Sequence, residues 1–332
     1  MDQQVSKTKK HTFDFFKRAA RESQEQDAAE ARRRTMGVYS GVLASFLLGW
    51  APILGKMAYH AGVASLTLAS IRTVVAALFL FVAYLLFWRK LLAVRIPDLL
   101  NCFLVGMING VGSIFYYSAL ERLDASRASL LSALYAVWVV IFLAASGQPV
   151  TRLTLGRLTA SLVGAFLVTS PWVTTNSSDF LGIMLMAASA AINGWYMVMG
   201  QWVLADVPAR SATLYILTGM ALTVSIARVA SGVPLEPIAL PGWTAIVALG
   251  LTTALSRMAM FFSMERLGGV QTVILGFMEM AVSLALAMIL LGDRLTWIQW
   301  LGAVLLVGGG FFARRDLEQG AAPPQSFNPM DV

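Results

Sequence analysis

Four ionisable residues stand inside long apolar runs of this chain: Lys56, Arg72, Arg257 and Glu279. On insertion scales such a group costs roughly 2.5 to 3.5 kcal/mol at the centre of a membrane span, so each is a candidate for function. The chemistry open to them is ion pairing, anion binding and proton exchange. Arg72 would lie ~12 Å deep at ~1.5 Å of rise per residue, too deep for exposure to lipid. It is either an anion site or a structural guanidinium held by helix-end carbonyls. Lys56, three residues from the end of its run, either joins a site or snorkels to the interface. Arg257 and Glu279 differ in depth by roughly 7 to 8 Å, a gap that two extended side chains bridge. They form either a compensated buried pair or part of a solute site. A Glu279 that faces a cavity alone becomes a candidate carrier of an exchangeable proton.

Uncharged residues extend the set. Asn193, Trp195 and Tyr196 sit together in "NGWY", mid-run, and Tyr135 and Asn109 lie in other runs. Polar-tipped aromatics suit the wall of a cavity that contacts apolar or aromatic parts of a solute, with packing inside a bundle as the alternative. Asn109 stands among Gly106, Gly110 and Gly112, whose small-residue spacing lets helices approach closely. Pro52 cannot donate to the carbonyl of Leu48, so the first run should break there, freeing carbonyls to a solute or simply kinking for packing.

Other chemistries lack their residues. One cysteine, Cys102, excludes an intrachain disulfide, and two histidines, His11 and His60, lie far apart without clustered carboxylates. No protein-ligated metal or haem, no Ser-His-Asp grouping and no phosphate-binding glycine loop is legible, so no cofactor and no enzymatic reaction is expected.

The elements that must position these residues are membrane helices. The chain has 332 residues, 58% of them hydrophobic and 13% charged, far below the soluble norm of about 25% charged. Ten apolar stretches are predicted, at 37–59, 64–88, 98–119, 125–146, 153–171, 180–204, 210–231, 243–263, 268–291 and 296–313. Each approaches the length that crosses a ~30 Å hydrocarbon layer, where backbone amides must pair internally and helices are favoured. Charges at span ends, assigned to the adjoining loop, put 18 of 25 Lys and Arg in the amino-terminal tail, the even-numbered loops and the carboxyl tail, against four in the odd-numbered loops. The positive-inside rule then places both termini in the cytoplasm. The same excess accounts for the net charge of +7 without a nucleic-acid partner. Residues 1–35 read as a basic cytoplasmic tail, and 315–332 as a disordered one.

The chain repeats itself. "ALERLDASRASLLSALY" from Ala119 and "SMERLGGVQTVILGFME" from Ser263 set Glu121 and Glu265 144 residues apart. Cutting after the fifth span gives halves 36–171 and 172–314, and an odd number of spans per half inverts one relative to the other. Inverted repeats carry their solute site between the halves near the bilayer midplane. By this register Tyr135 is the counterpart of Glu279, and aligning "SGQPV" with "LGDRL" sets Gln148 opposite Asp293.

These features resemble the EamA-type transporters of the drug/metabolite transporter superfamily. The resemblance rests on "LLGWAPILGKMAYHAGVASLTLASIRTVVAALFL" with Trp50, Lys56 and Arg72, on the two Glu-Arg-Leu turns, and on Glu279 followed by "LLGDRLTWIQWLGAVLLVGGGFF". Met280 departs from the family's proline at that place, and Gln148 from its acidic residue. The resemblance implies an all-α integral membrane protein with ten transmembrane helices in two inverted five-helix repeats. It further implies a secondary transporter in the plasma membrane that exports a small organic metabolite by alternating access. Three intramembrane cations against one anion favour an anionic or zwitterionic, amino-acid-like solute. A channel-like facilitator and an intramembrane enzyme are the rival classes. Nothing in the sequence specifies an oligomeric state.

Overall fold

The computed structural model describes residues 28–146, 152–169, 177–232 and 237–320. Most of the amino-terminal tail, Gln148 and the chain beyond 320 lie outside these. Ten helical rods follow one another among the described residues: α1 (Ala28–His60), α2 (Ser65–Phe87), α3 (Ile96–Arg122), α4 (Ala125–Ala145), α5 (Arg152–Thr169), α6 (Ser177–Asp206), α7 (Ala209–Ala230), α8 (Leu240–Leu267), α9 (Gly269–Leu286) and α10 (Trp297–Gly320). Seven are long and apolar enough to cross a membrane, and the apolar cores of α5, α9 and α10 are shorter. Their outer faces carry large apolar side chains such as Phe87, Trp202 and Val229, more than half exposed. Such a surface is unfavourable in water and suits lipid.

Local sequence explains the helix ends and breaks. Proline occupies the first turn of α3 (Pro97) and α8 (Pro241), where its missing N–H costs nothing. Pro52 acts as predicted. The rod α1 is interrupted by a turn at Trp50, whose N–H bonds the Leu47 carbonyl at 3.2 Å, and a new helical segment starts at Ala51. A second break, at Ala133 and Leu134 in α4, has no proline or glycine behind it. Instead Ser129 and Ser132 turn their hydroxyls onto the carbonyls of Ala125 and Ser129, at 2.7 Å each, which bends helices. After α9 the chain continues as a π-helical turn over Ala287–Leu291 and leaves through Gly292 at φ 72°, a left-handed position suited to glycine.

Packing repeats with the roles of the halves exchanged. Helix α3 packs on α6 and α7, while α8 packs on α1 and α2. The rods α2, α4 and α5 each pack on their own counterparts α7, α9 and α10. Close backbone approaches obey the same exchange. Gly106 lies against the carbonyl of Ile216, and Gly250, 144 residues later, lies against the carbonyl of Arg72, the counterpart of Ile216. Gly49 abuts the backbone of Glu279, and Gly194 that of Tyr135. The two halves are one motif folded twice and joined face to face.

Candidate functional site

Between the halves lies a cavity of about 120 Å³, room for a small solute and not for a lipid. Six of the residues singled out above line it: Arg72, Asn109, Tyr135, Asn193, Arg257 and Glu279. They come from α2, α3, α4, α6, α8 and α9, three helices of each half, so the cavity exists only where the two motifs meet.

Arg72 is 5% exposed and is held by both halves. Its Nη1 donates to Thr253 Oγ1 of α8 at 3.0 Å, its Nη2 to Ser113 Oγ of α3, and the guanidinium lies 4.2 Å from the centroid of the Tyr117 ring. These partners are hydroxyls and an aromatic face, not the helix-end carbonyls that a structural arginine was expected to use. A cation–π contact gains strength away from water, but neither partner neutralises the charge. Arg72 Nε has no hydrogen-bond partner. An isolated buried charge is costly, so this guanidinium keeps both a net charge and an unused donor beside the cavity.

Arg257 lies 5.0 Å from the centroid of Tyr196, and its Nε is likewise unpartnered. Glu279 lines the same cavity, yet among the described residues no ion pair within 4.0 Å joins it to Arg257. Both groups line the cavity, close enough for the charge of Arg257 to act on Glu279 without a direct ion pair. Asn193 of the wall has a buried Oδ1 without a hydrogen-bond partner, as is the case for the Oη of Tyr196, which lies behind Arg257. Asn109 instead points its Nδ2 at Met220 Sδ, 3.5 Å away.

Three expected residues, Lys56, Trp195 and Tyr196, are not brought to the cavity wall. Lys56 lies near the α1 end, partly buried and in the field of Asp124, Asp293 and Glu121. Trp195 faces outward, 36% exposed, with its ring 5.1 Å from Phe142, since it follows cavity-facing Asn193 by two positions and helical neighbours at that spacing do not share a face. Tyr196 stands behind Arg257, as its ring support. Pro52 is buried, but the wall at the break is formed by Leu48 and Ala51.

Other wall residues carry a signal not used above. Asn109, Ser113, Tyr116 and Tyr117 form one face of α3, Thr253, Arg257 and Met260 one face of α8, and Thr272, Gly276 and Glu279 one face of α9, all at three- or four-residue spacing. A stripe of hydroxyls and aromatics that contains one costly residue marks the face it belongs to.

One end of the cavity is closed by contacts across the halves. Ser129 and Ser283 share a hydrogen bond of 2.5 Å, Ser126 donates twice to Asp293, and Ile53, Ala125 and Ala287 pack together against Leu286 and Leu291.

Comparison with known proteins agrees with this architecture. Chains of known structure match, 29 in all; one, a crystal structure of a protein, superposes with a TM-score of 0.62 at 18% identity over 87% of this chain and 99% of its own. At that identity the likeness concerns the fold alone. No curated protein matches the sequence. The model of the EamA-like transporter family matches twice, over residues 35–170 and 180–315, once for each half described above. With both matches together spanning most of its length, this chain belongs to the EamA-like transporter family.

Proposed function

We propose that the protein is a secondary transporter that carries a small anionic or zwitterionic organic solute, amino-acid-like in its charges, out of the cell across the plasma membrane. All ten rods span the bilayer, the halves 36–171 and 172–314 run in opposite senses, and both termini face the cytoplasm. Transport proceeds by rocking one half against the other around the shared cavity. The exchange-related packing of the rods supports the rocking pair, and the basic tail and even-numbered loops support the orientation.

One observation carries the solute class. Arg72 and Arg257 line the cavity, each with a buried Nε that has no hydrogen-bond partner, while Glu279 lines it without an ion pair to either within 4.0 Å among the described residues. A carboxylate or other oxyanion satisfies the guanidiniums, and the ammonium of a zwitterion satisfies Glu279. Removing Lys56 from the wall leaves two cations to one anion, which still favours this class. Tyr116 and Tyr117 offer aromatic surface to the remainder of the solute. When no ammonium is bound, Glu279 takes a proton, so the site can couple solute movement to proton exchange.

The test is a ligand screen on purified protein followed by transport in liposomes. Amino acids and small carboxylates are expected to raise the melting temperature in proportion to RT ln(1 + [L]/Kd), and the best of them to show saturable counterflow. Stabilisation by neutral sugars or nucleosides alone would overturn the charge assignment. Unitary currents in place of saturable counterflow would make the protein a channel.

A further inference from the structure

Helix α9 begins at Gly268, an N-cap residue with no side chain to offer the N–H groups of the first turn. Free N–H groups and the helix dipole make such a terminus favourable for negative charge. Its counterpart in the first half, the start of α4, does hold an anion. The carboxylate of Asp293 accepts from the Ser126 N–H at 3.0 Å and from its hydroxyl at 2.9 Å. In the sequence the matching place in the first half belongs to Gln148, which has no charge to offer α9.

Where the carboxylate is missing, arginines converge. A pocket beside the α9 terminus is lined by Arg33 and Arg34 of α1, by Arg266 at the end of α8 and by Gln271 in the first turn of α9, with Glu30 as the one acidic lining residue. Arg266 is pre-oriented by the Phe262 ring, whose centroid lies 3.6 Å from the guanidinium carbon. Arg33 Nη2 lies 3.5 Å from the Glu265 carbonyl oxygen, at the pocket edge. Three guanidiniums, each a planar fork with several donors, stand against one carboxylate and beside a helix N-terminus.

We infer that this pocket binds a phosphoryl anion, the chemistry shared by an acidic phospholipid headgroup and free phosphate. Guanidinium forks match phosphate oxygens two at a time, and the α9 amides add donors from a third side. The site is distinct from the central cavity and shares no lining residue with it. Bound there, the anion ties α1 to the α8–α9 turn and does for the second half what Asp293 does for the first.

The experiment uses the full chain in nanodiscs and in detergent. Wild-type protein is expected to retain phosphatidylglycerol in preference to phosphatidylcholine in native mass spectrometry, and to melt higher in nanodiscs that contain it. Arg34→Gln with Arg266→Gln is expected to weaken that retention roughly tenfold, charge-assisted bonds to phosphate being the stronger kind. A second pair, Arg89→Gln with Lys90→Gln, removes the same charge from another basic loop and is expected to leave retention unchanged. Melting in lipid-free detergent checks that each variant is folded. Stabilisation by inorganic phosphate in detergent, lost in the same variant, supports the site with a soluble anion as its occupant. If wild-type protein prefers neither phosphatidylglycerol nor phosphate, or if the Arg89 and Lys90 pair weakens retention as much, the inference fails.

Discussion

Asp293, carried by the second half of the chain, caps a helix of the first: its Oδ2 accepts both the N–H and the hydroxyl of Ser126. Around it, Arg127 pairs with Asp124 at 2.9 Å and with Asp179 at 3.5 Å, and Ser129 meets Ser283. The contacts of Ser126 with Asp293, Arg127 with Asp179 and Ser129 with Ser283 cross from one half to the other, so the rocking motion proposed above would part them. Asp293→Ala removes a cap of the kind that contributes about 0.5–2 kcal/mol, and is expected to lower the melting temperature. Asp293→Asn, which keeps an acceptor, should fall between. Equal melting of all three would show that the cap contributes nothing.

The close approach of Gly250 to Arg72 predicts a second effect. A Cβ on Gly250 would lie 2.9 Å from the Arg72 carbonyl oxygen and 2.7 Å from Val75 Cγ1, both on α2. Forcing apart helices this close costs typically 1–3 kcal/mol. Gly250→Ala should therefore destabilise strongly and displace Arg72 from Thr253, whereas Gly156→Ala, with nothing within 4 Å, should melt like wild type. Thermal unfolding in detergent checks both.

Much of this was legible before any coordinates. Span length and apolar composition are direct consequences of a bilayer's thickness, and Pro52 marked its break because a missing N–H has one local outcome. Arg72, Arg257, Asn109, Asn193 and Glu279 reached the cavity because buried polar groups are costly wherever nothing needs them. Lys56 and Trp195 did not, since depth along the chain says nothing about which face of a helix a residue occupies. The α4 break escaped notice because serine is common in helices and bends them only when its hydroxyl turns inward. Ser113 and Thr253, the partners of Arg72, were hidden because a hydroxyl in an apolar run costs little and so gives no warning.

Arg72 is held in a way that lysine cannot reproduce. Its two Nη groups bond hydroxyls on helices of opposite halves while its face meets Tyr117. A lysine keeps the charge but offers a point donor with no planar face. Arg72→Lys is expected to reduce solute counterflow roughly tenfold or more with the protein still folded, because it loses the fork that orients an oxyanion. Thr253→Val should give a smaller loss. Counterflow equal to wild type in Arg72→Lys would remove Arg72 from the site.

Replacing Glu279 tests binding and coupling separately. Glu279→Gln mimics the protonated carboxyl and cannot release its proton. If proton exchange runs through this residue, the variant should still exchange solute for solute but should no longer accumulate it against a gradient when a pH difference is imposed. A pH-driven accumulation that survives in Glu279→Gln would assign coupling elsewhere, and a total loss of exchange would make Glu279 a solute contact.

The opposite senses proposed for the two halves predict where Glu121 and Glu265 lie. Both are exposed, both end the third helix of a half, and 144 residues separate them. Parallel halves would place them on one face of the membrane, and inverted halves on opposite faces. The native cysteine, Cys102, is buried, so it should stay silent to a water-soluble reagent. In intact cells, Glu121→Cys is expected to react with a membrane-impermeant maleimide, and Glu265→Cys only after the membrane is opened. Their local contacts already differ, Glu121 pairing with Arg122 at 3.7 Å while Arg266 turns onto Phe262, so the turns repeat in position and not in detail. Labelling of both from the same side would exclude an inverted pair, and with it the rocking motion that depends on one.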